Sequence, residues 1–468
     1  MTNDTDRPTI TGKDLIDWGH QPGPRFSTLL EKANAARAEG YGLVRIREIL
    51  AEDMPPPPPP KRGLRDRGAV PFHVNIEAEG PDEGNNIASV TATMTELMRT
   101  PTICAGAIMP DACPAGPVGT IPVGGVVAAE NAIHPGMHSA DICCSVMMSD
   151  LGTANPKAVL DAAEGATHFG PGGRREGGFM PVAASLLEQF RENPFLNEVK
   201  ALRMAESHMG TQGDGNHFLF VGRSRATGRT AMITHHGSRG PGARLYRAGM
   251  AVAEQYRREI SPETLRQNAW IPADTEDGRA YWSALQAMRD WTKANHAAIH
   301  DATAAALGIG AADRFWNEHN FVFERGGVYY HGKGATPAWA EFAADATAHT
   351  LIPLNMAEPV LVARGLDARH GLGFSPHGAG RNFSRSEHRR RMGKRTPAQL
   401  LGAETEGLDV RFYAGRVDIS ELPSSYKRAD AVTRQIKHYG LAEIVDYIDP
   451  YGCIMAGDVP QPWREKQA

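Results

Sequence analysis

The sequence has few of the features that define membrane or secreted proteins. Its 468 residues include only 5 cysteines, an odd count in which two are neighbours, so it does not encode a disulfide framework. No apolar run approaches the roughly 20 residues that a membrane-spanning helix needs. The N-terminal stretch MTNDTDRPTI carries acidic residues and lacks the apolar core of a signal peptide. We therefore expect a cytoplasmic protein with reduced thiols and no membrane partner.

The charge balance gives no sign of a general nucleic-acid binder. The formal net charge is −4 and the isoelectric point is near 6.5, although RSEHRRRMGKR forms a local basic stretch. Hydrophobic residues make up 41% of the chain, which is enough to build a sizeable core. The length fits one large domain with a small extension.

The chain divides by composition at a run of prolines. Residues 25–52 have helical patterning, and Gly40 and Gly42 are expected to break them into two helices. Six prolines, Pro55–Pro60, then exclude helix and central strand and predict a stiff linker. We therefore expect a helical N-terminal extension over residues 1–60 and a main domain over residues 61–468.

The main domain mixes strand and helix patterns. Short apolar runs such as IPVGGVVAAE and DICCSVMMS alternate with Gly/Pro turns and predict buried strands. Residues 279–307 keep helical spacing, and further strand patterns follow between residues 315 and 385. There is no strict βαβ order and no fixed repeat, so we predict an α+β fold.

Four segments share a chemical form, with metal-ligand side chains beside glycines or at strand ends. They are ADICCS, GDGNHF, THHGSRG and NEHNF. Imidazole, thiolate and carboxylate are standard ligands for divalent transition metals. One buried histidine is more often a hydrogen-bonded core residue than a ligand, but the four segments together supply ligands for one or two ions.

Two further segments combine glycine turns with basic side chains. They are PHGAGRNFSR, with Arg381 and Arg385, and HGKGATPA, with Lys333. Glycine-rich turns offer backbone N–H groups to phosphate oxygens, and arginine and lysine add charge. The outer arginines of the basic stretch are better interpreted as a solvated helix face.

Taken in order, these motifs resemble the RtcB family of RNA ligases. The resemblance runs from about residue 100 to the C-terminus and includes GTQGDGNHF, HHGSRG, EHNF, HGKGATPA, LIPLNM and HGAGR. It implies an RtcB-like domain that joins an RNA 3′-phosphate or 2′,3′-cyclic phosphate to a 5′-hydroxyl, using GTP and Mn²⁺. By ligand type alone Zn²⁺ would also suit the site.

The resemblance also assigns roles to individual residues. His377 matches the catalytic histidine that accepts the nucleotide. The matching metal ligands are Asp141, Cys144, His217, His235 and His319. The matching nucleotide-binding positions are Asn216, Phe218, Asn355, Gly378, Ala379, Gly380 and Tyr426. The positions expected to contact RNA or other phosphates are Arg239, Lys333, Arg381 and Arg385.

The sequence departs from the family pattern at positions associated with guanine selection. Phe220 stands where the family commonly has a glutamate, and Met455 and Ala456 end the domain without the family's lysine. Cys113 replaces the histidine in the family's Asp-Val-His-Pro-Gly motif. Removing groups that hydrogen-bond one base edge relaxes the choice of base, so we predict a weakened preference for GTP.

Cys143, next to Cys144, is expected to be a buried apolar residue on the opposite face of a strand. Two alternatives to the ligase remain open at this point. One is a nucleotidyltransferase that acts on nucleic-acid 3′-phosphates without sealing them. The other is a noncatalytic RNA-binding relative that keeps a metal for folding only.

Overall fold

The structure is a computed structural model that describes residues 9–20, 26–51, 61–310, 313–343 and 345–458. The chain divides into two compact units, Met1–Pro60 and Lys61–Ala468. The proline run predicted to be a linker lies outside the described residues. Within the described ranges, no helix has the length and apolar character needed to cross a membrane.

The N-terminal unit is built from three helices. They are α1 (Gly12–Asp17), α2 (Phe26–Ala38) and α3 (Leu43–Ala51). Leu15, Ile46 and Leu50 are buried in their shared core. The break between α2 and α3 contains Gly40 at φ 94, a backbone conformation that favours glycine.

The larger unit contains nine described helices and seventeen strands. The helices are α4 (Pro81–Leu97), α5 (Pro156–Ala166), α6 (Ala184–Glu192), α7 (Val199–Ser207), α8 (Arg239–Ile260), α9 (Glu276–Ala306), α10 (Arg385–Arg391), α11 (Pro397–Glu404) and α12 (Ala429–His438). The first strands are β1 (Phe72–Val74), β2 (Ile103–Cys113), β3 (Val123–Glu130), β4 (Ala132–Ile133), β5 (Ser145–Asp150), β6 (Phe218–Ser224), β7 (Thr230–His236) and β8 (Ile271–Pro272). The remaining strands are β9 (Arg314–Glu318), β10 (Asn320–Arg325), β11 (Val328–Lys333), β12 (Ala335–Pro337), β13 (His349–Ile352), β14 (Val360–Gly365), β15 (Phe374–Pro376), β16 (Asp409–Phe412) and β17 (Ala442–Met455).

The larger of the two main sheets is nearly closed on itself. Its strand order is β13-β14-β17-β6-β7-β5-β9, with β16 paired to β17. The two ends of this order meet where the Leu351 backbone N–H donates to Asn317 Oδ1 at 3.0 Å. A second sheet has five strands in the order β1-β2-β3-β11-β10. The mixture of helices with these sheets confirms the predicted α+β class.

The large sheet lies between a cavity and the long helix α9. All seven residues of β7 are buried, as expected for a strand covered on both faces. α9 begins where the Thr275 hydroxyl accepts a hydrogen bond from the Gly278 backbone N–H at 3.0 Å. Glu276 and Asp277 in its first turn complement the helix dipole. The helix predicted over residues 279–307 is therefore confirmed.

The stretch that contains the adjacent residues Cys143 and Cys144 does not form the predicted strand. It is a turn that leads into β5, and β5 begins only at Ser145. Cys143 has φ 56, so strand alternation does not describe this position. Its side chain is nevertheless fully buried in the core that also contains Met147 and Met288. Both Cys143 and Cys144 are free thiols.

Candidate metal centre and nucleotide cavity

Three neighbouring strands bring ligand-type side chains to one end of the large sheet. β5 pairs with both β7 and β9, and the register places Val146 opposite His235. Cys144 directly precedes β5, and His319 directly follows β9. The His319 backbone N–H donates to the Cys144 carbonyl at 2.9 Å, which joins the two positions. These side chains therefore meet although 175 residues separate Cys144 from His319.

The potential ligand atoms converge closely. Cys144 Sγ lies 3.2 Å from His235 Nε2 and 3.6 Å from His217 Nε2. His235 Nε2 lies 3.1 Å from His319 Nε2, and His217 Nε2 lies 3.0 Å from Asp141 Oδ2. Two overlapping groups result, Cys144–His235–His319 and Asp141–Cys144–His217, with donor atoms within 4.8 Å of one another in each. Cys144 belongs to both groups.

The outer hydrogen bonds of the histidines favour a cation at the centre. His217 Nδ1 lies 2.7 Å from the Gln212 carbonyl, and His235 Nδ1 lies 3.1 Å from the Asn216 carbonyl. A carbonyl only accepts, so each Nδ1 carries the proton and each Nε2 turns a lone pair toward the centre. Metal-binding histidines typically donate their other ring N–H to a carbonyl or carboxylate in this way. The residues therefore fit a divalent transition metal.

Burial also shifts the pKa values of the candidate ligands. It lowers the pKa of His235 to about 3, with help from the neighbouring His217 and His377 imidazoles, and keeps the ring neutral. Burial and the Asp141 carboxylate raise the pKa of the Cys144 thiol. The His217 imidazole lowers the pKa of Asp141 although burial opposes the shift. A neutral His235 imidazole and an ionised Asp141 carboxylate can both bind a cation, and a bound cation would oppose the rise in the thiol pKa.

His377 lies beside this cluster and is held by a buried carboxylate. Its Nδ1 is 2.6 Å from Asp111 Oδ2, and its ring centroid is 4.7 Å from that of His319. Asp111 is fully buried on β2. Gly380 has φ 72, and a Cβ there would lie 1.9 Å from the Asp111 carbonyl oxygen, so this position requires glycine. Sequence motifs alone did not identify Asp111 as the partner of His377.

His377 and the five candidate metal ligands line one cavity with a volume of about 1600 Å³. This exceeds the roughly 300–1,000 Å³ of common small-molecule pockets, which leaves room for more than a nucleotide. Every candidate named from the sequence contributes to its lining. The structure thus brings together His377, the five candidate ligands, the seven candidate nucleotide-binding positions and the four basic residues. Their roles remain predictions.

The four basic residues differ in whether a protein carboxylate already pairs with their charge. Arg381 and Arg385 both pair with Glu421, at 2.5 and 2.8 Å, and this carboxylate is almost fully buried. The Tyr426 hydroxyl also donates to Glu421 at 2.6 Å, and the Arg381 guanidinium lies 4.5 Å from the centre of the tyrosine ring. Glu421, which the sequence analysis did not single out, therefore organises this wall. Half of the Arg385 side chain remains exposed to a ligand.

Arg239 and Lys333 are held by backbone carbonyls. Arg239 Nη2 donates to the Gly170 carbonyl at 2.9 Å, and Lys333 Nζ donates to the Ile121 carbonyl at 3.1 Å. Burial lowers the pKa of both side chains. Neither contact neutralises the charge, so both cations remain available to an anion in the cavity.

One wall of the cavity is apolar. Phe218 and Phe220 lie on the same face of β6, and the register with β17 places them opposite Met455 and Cys453. Val360 from β14 continues the same surface. Phe220, where the family commonly has a glutamate, is 2% exposed and belongs to a hydrophobic cluster with Met455.

The fold and the site define a class: an α+β protein in which buried Asp, Cys and His side chains that could hold a metal ion line one large cavity. Residues 186–456, more than half of the chain, match the family described as tRNA-splicing ligase RtcB. The chain belongs to the RtcB family. The matched region includes His217, His235, His319 and His377. Asp141 and Cys144 precede the matched region in sequence, and the fold brings them to the same cluster.

Curated relatives support the same assignment. The chain is 29% identical over 292 residues to the RNA-splicing ligase RtcB of Mycobacterium tuberculosis, covering 54% of this chain and 66% of that protein. It is 27% identical over 326 residues to the tRNA-splicing ligase RtcB of Thermococcus kodakarensis, covering 61% and 64%. With the tRNA-splicing ligase RtcB of Pyrococcus horikoshii it shares 26% identity, covering 63% and 38%. The chain thus spans less than two thirds of the length of these relatives.

Proposed function

We propose that the protein is a metal-dependent RNA ligase of the RNA-repair or tRNA-splicing type. It would join RNA 3′-phosphate or 2′,3′-cyclic phosphate ends to 5′-hydroxyl ends through a nucleotide attached to His377. The observation that carries the proposal is the contact between His377 Nδ1 and the buried Asp111 carboxylate, next to the cluster of candidate metal ligands. A histidine fixed in this way presents Nε2 as a nucleophile.

The first step transfers a nucleotide to the protein. The Nε2 lone pair of His377 attacks the α-phosphorus of a nucleoside triphosphate, a P–N bond forms, and the P–O bond to the β-phosphate breaks. Pyrophosphate leaves, and the proton on Nδ1 stays in the hydrogen bond to Asp111. A divalent ion such as Mn²⁺, held by the Asp141–Cys144–His217–His235–His319 set, would neutralise phosphate charge at this point.

The next steps act on the RNA. An oxygen of the RNA 3′-phosphate attacks the nucleotide phosphorus, the P–N bond breaks, and His377 regains its lone pair. The 5′-hydroxyl oxygen then attacks the activated 3′-phosphorus, the nucleoside monophosphate leaves, and the hydroxyl proton is released. A cyclic phosphate end is first hydrolysed to a 3′-phosphate, which consumes one water. Arg239, Lys333 and Arg385 are the cations proposed to hold these phosphates.

We propose further that the choice of base is relaxed. The wall formed by Phe218, Phe220, Cys453 and Met455 offers no side-chain hydrogen-bonding group of the kind that reads a guanine edge. A hydrogen-bonding site rejects a wrong substrate by about 10⁴–10⁵-fold, whereas an apolar pocket separates similar shapes by roughly 10–200-fold. GTP should therefore exceed each other triphosphate by less than about 200-fold in the rate of adduct formation.

Mass spectrometry of the intact protein tests the first step. After incubation with Mn²⁺ and each of the four triphosphates, we expect a mass increase of one nucleotide monophosphate on His377. His377→Ala should abolish the adduct. His438→Ala changes an exposed histidine that does not line the cavity and should retain the adduct. Absence of any adduct would favour the noncatalytic relative, and strict dependence on GTP would contradict the relaxed choice of base.

A ligation assay tests the later steps. A pair of RNAs with a 2′,3′-cyclic phosphate and a 5′-hydroxyl should be joined by the wild-type protein with Mn²⁺ and a triphosphate. Transfer of the nucleotide to the 3′-phosphate without joining would instead identify the protein as a nucleotidyltransferase that does not seal.

A further inference from the structure

A layer of buried polar side chains lies on the face of the large sheet opposite the cavity. Successive strand residues alternate between faces, so Ser145 and His236, which follow the ligand candidates Cys144 and His235, point away from the cavity. α9 covers this face and presents His296 and His300 to it, and both imidazoles are fully buried. The proposed reaction uses none of these side chains on the α9 face.

The inner part of this layer is centred on His296. Its Nε2 lies 3.0 Å from Ser145 Oγ, and its Nδ1 lies 2.6 Å from Thr234 Oγ1. The ring also stacks on His236, with centroids 3.5 Å apart and planes 15° apart. One side chain of α9 therefore bridges β5 and β7 directly behind the candidate metal ligands.

The outer part runs through His300 to the surface. His300 Nε2 lies 2.8 Å from Thr234 Oγ1, and its Nδ1 lies 2.7 Å from Ser149 Oγ. Ser149 Oγ accepts a hydrogen bond from Arg314 Nε at 2.9 Å. Arg314 in turn pairs with the exposed Asp301 at 2.7 Å. The contacts form one continuous series, here named the α9 chain, made of Arg314, Ser149, His300, Thr234, His296 and Ser145.

One arrangement of protons satisfies every group in the α9 chain. Arg314 Nε only donates, and the backbone carbonyls bonded to the last hydroxyl only accept. Burial lowers the pKa of His296 and His300 well below the usual value, so each ring carries one proton. Each hydroxyl then donates to the next Nδ1, and each Nε2–H donates to the next hydroxyl. If every hydrogen bond ran in the opposite direction, the Ser149 hydroxyl would point its proton at Arg314 Nε, which cannot accept it.

The α9 chain ends on the backbone of the metal centre. Ser145 Oγ donates to the Cys143 carbonyl at 3.0 Å and lies 3.3 Å from the His236 carbonyl. The first carbonyl directly precedes Cys144 and the second directly follows His235. Cys143 has φ 56, a left-handed conformation that a non-glycine residue keeps only when its surroundings hold it there. The last hydroxyl of the chain bonds the carbonyl of this same residue.

We propose that the α9 chain is a positioning device for the metal centre, which fixes the backbone on either side of Cys144 and His235 from the opposite face of the sheet. Thr234 is its central member, since its single hydroxyl donates to one imidazole and accepts from the other. The inference rests on the metal site of the proposed function. Loss of hydrogen-bond partners of the ligands themselves typically weakens metal binding by roughly 10- to 100-fold, and a chain that acts through the neighbouring backbone should fall at the lower end of this range.

Cobalt binding to the full-length protein tests the proposal without any use of catalysis. Co²⁺ alone is titrated, because its d–d bands report ligand geometry and its thiolate charge-transfer band reports Cys144. Thr234→Val keeps the shape of the side chain but removes the hydroxyl, and we expect about tenfold weaker Co²⁺ binding with altered d–d bands. Thr234→Ser restores the hydroxyl and should recover the wild-type affinity and spectrum.

Thr350→Val is the matched control. Thr350 is fully buried on β13 of the same sheet, and its hydroxyl has no hydrogen-bond partner among the described residues. This variant should bind Co²⁺ like the wild type. Thermal unfolding of all variants then separates a general loss of stability from a change at the metal centre.

Three results would overturn the proposal. Wild-type binding with unchanged affinity and spectrum in Thr234→Val would refute the positioning role while leaving the metal site intact. Equal losses in Thr234→Val and Thr234→Ser would show that packing matters and the hydrogen bonds do not. Failure of the wild type to bind Co²⁺ would refute the metal site and this inference with it. If Thr234→Val does not fold, Ser145→Ala removes the inner hydroxyl and is held to the same expectation.

Discussion

The hydrogen bond between Asp111 and His377 gives the sharpest test of the proposed nucleophile. Asp111→Asn keeps the size of the side chain but removes the charge that holds Nδ1–H at 2.6 Å. A hydrogen bond to a charged group contributes about 1.5–3 kcal/mol, and each 1.36 kcal/mol changes a rate tenfold, so we expect a roughly 10- to 150-fold slower transfer. If the new amide also moves the imidazole proton to Nε2, the nucleophilic lone pair is lost, and the decrease can approach ~10⁴-fold.

Single-turnover formation of the nucleotide adduct, followed by quenching and mass spectrometry, measures this rate directly. Asp418→Asn is the control, because Asp418 also lines the cavity but bonds to Ser420 and Arg389 and to no histidine. Its adduct should form within a few-fold of the wild-type rate. A wild-type rate in Asp111→Asn would refute the orienting role of the carboxylate, and an equal loss in both variants would point to a general change in the cavity.

Two further predictions concern the cysteine pair and acid stability. Cys144→Ala should remove bound metal, measured by elemental analysis, and abolish adduct formation, whereas Cys143→Ala should leave both largely intact; the reverse result would exchange the two roles. Hydrogen bonds from Arg257, opposed by burial and supported by Arg258, lower the pKa of Glu254 to about 2. The stabilising effect of this carboxylate is present at neutral pH and lost as the pH falls from about 4.5 toward 2. Glu254→Gln should therefore lower the free energy of unfolding at pH 7 by about 1–3 kcal/mol, and the difference from wild type in urea titrations should shrink at pH 3.

Periodicity in the sequence predicted the regular elements well. The pattern over residues 279–307 predicted α9, because apolar residues at helical spacing persist through many turns. The stretch around Cys143 was harder, since small apolar residues suit a strand and a buried turn equally. Only the left-handed backbone at Cys143 distinguishes the turn, and no residue type at that position signals it.

Contacts between distant segments were beyond the reach of the sequence. Asp111 and His377 are 266 residues apart, and nothing local identifies one as the partner of the other. A carboxylate inside an otherwise apolar strand was the available signal that Asp111 has a buried partner. For Arg381 the local basic charge suggested phosphate, but the buried Glu421 from 40 residues away already pairs with it. Ion pairs of this kind depend on the tertiary fold and have no local pattern.

The same strand register explains why the cavity and the α9 chain cannot vary independently. His235 and His236 are neighbours in β7, and alternation sends one to each face. At the start of β5, Cys144 contacts His235 whereas Ser145 contacts His296 of α9, so these neighbours also point to opposite faces. A shift of one residue in the register of either strand would turn a candidate metal ligand toward α9 and a side chain of the α9 face toward the cavity. Such a shift would leave buried imidazoles and hydroxyls without hydrogen-bond partners, which is energetically costly. The buried polar side chains on the α9 face therefore disfavour a shift in register more strongly than apolar side chains would. The buried histidines of α9 would therefore fix the candidate metal ligands through strand register, even though neither His296 nor His300 lines the cavity.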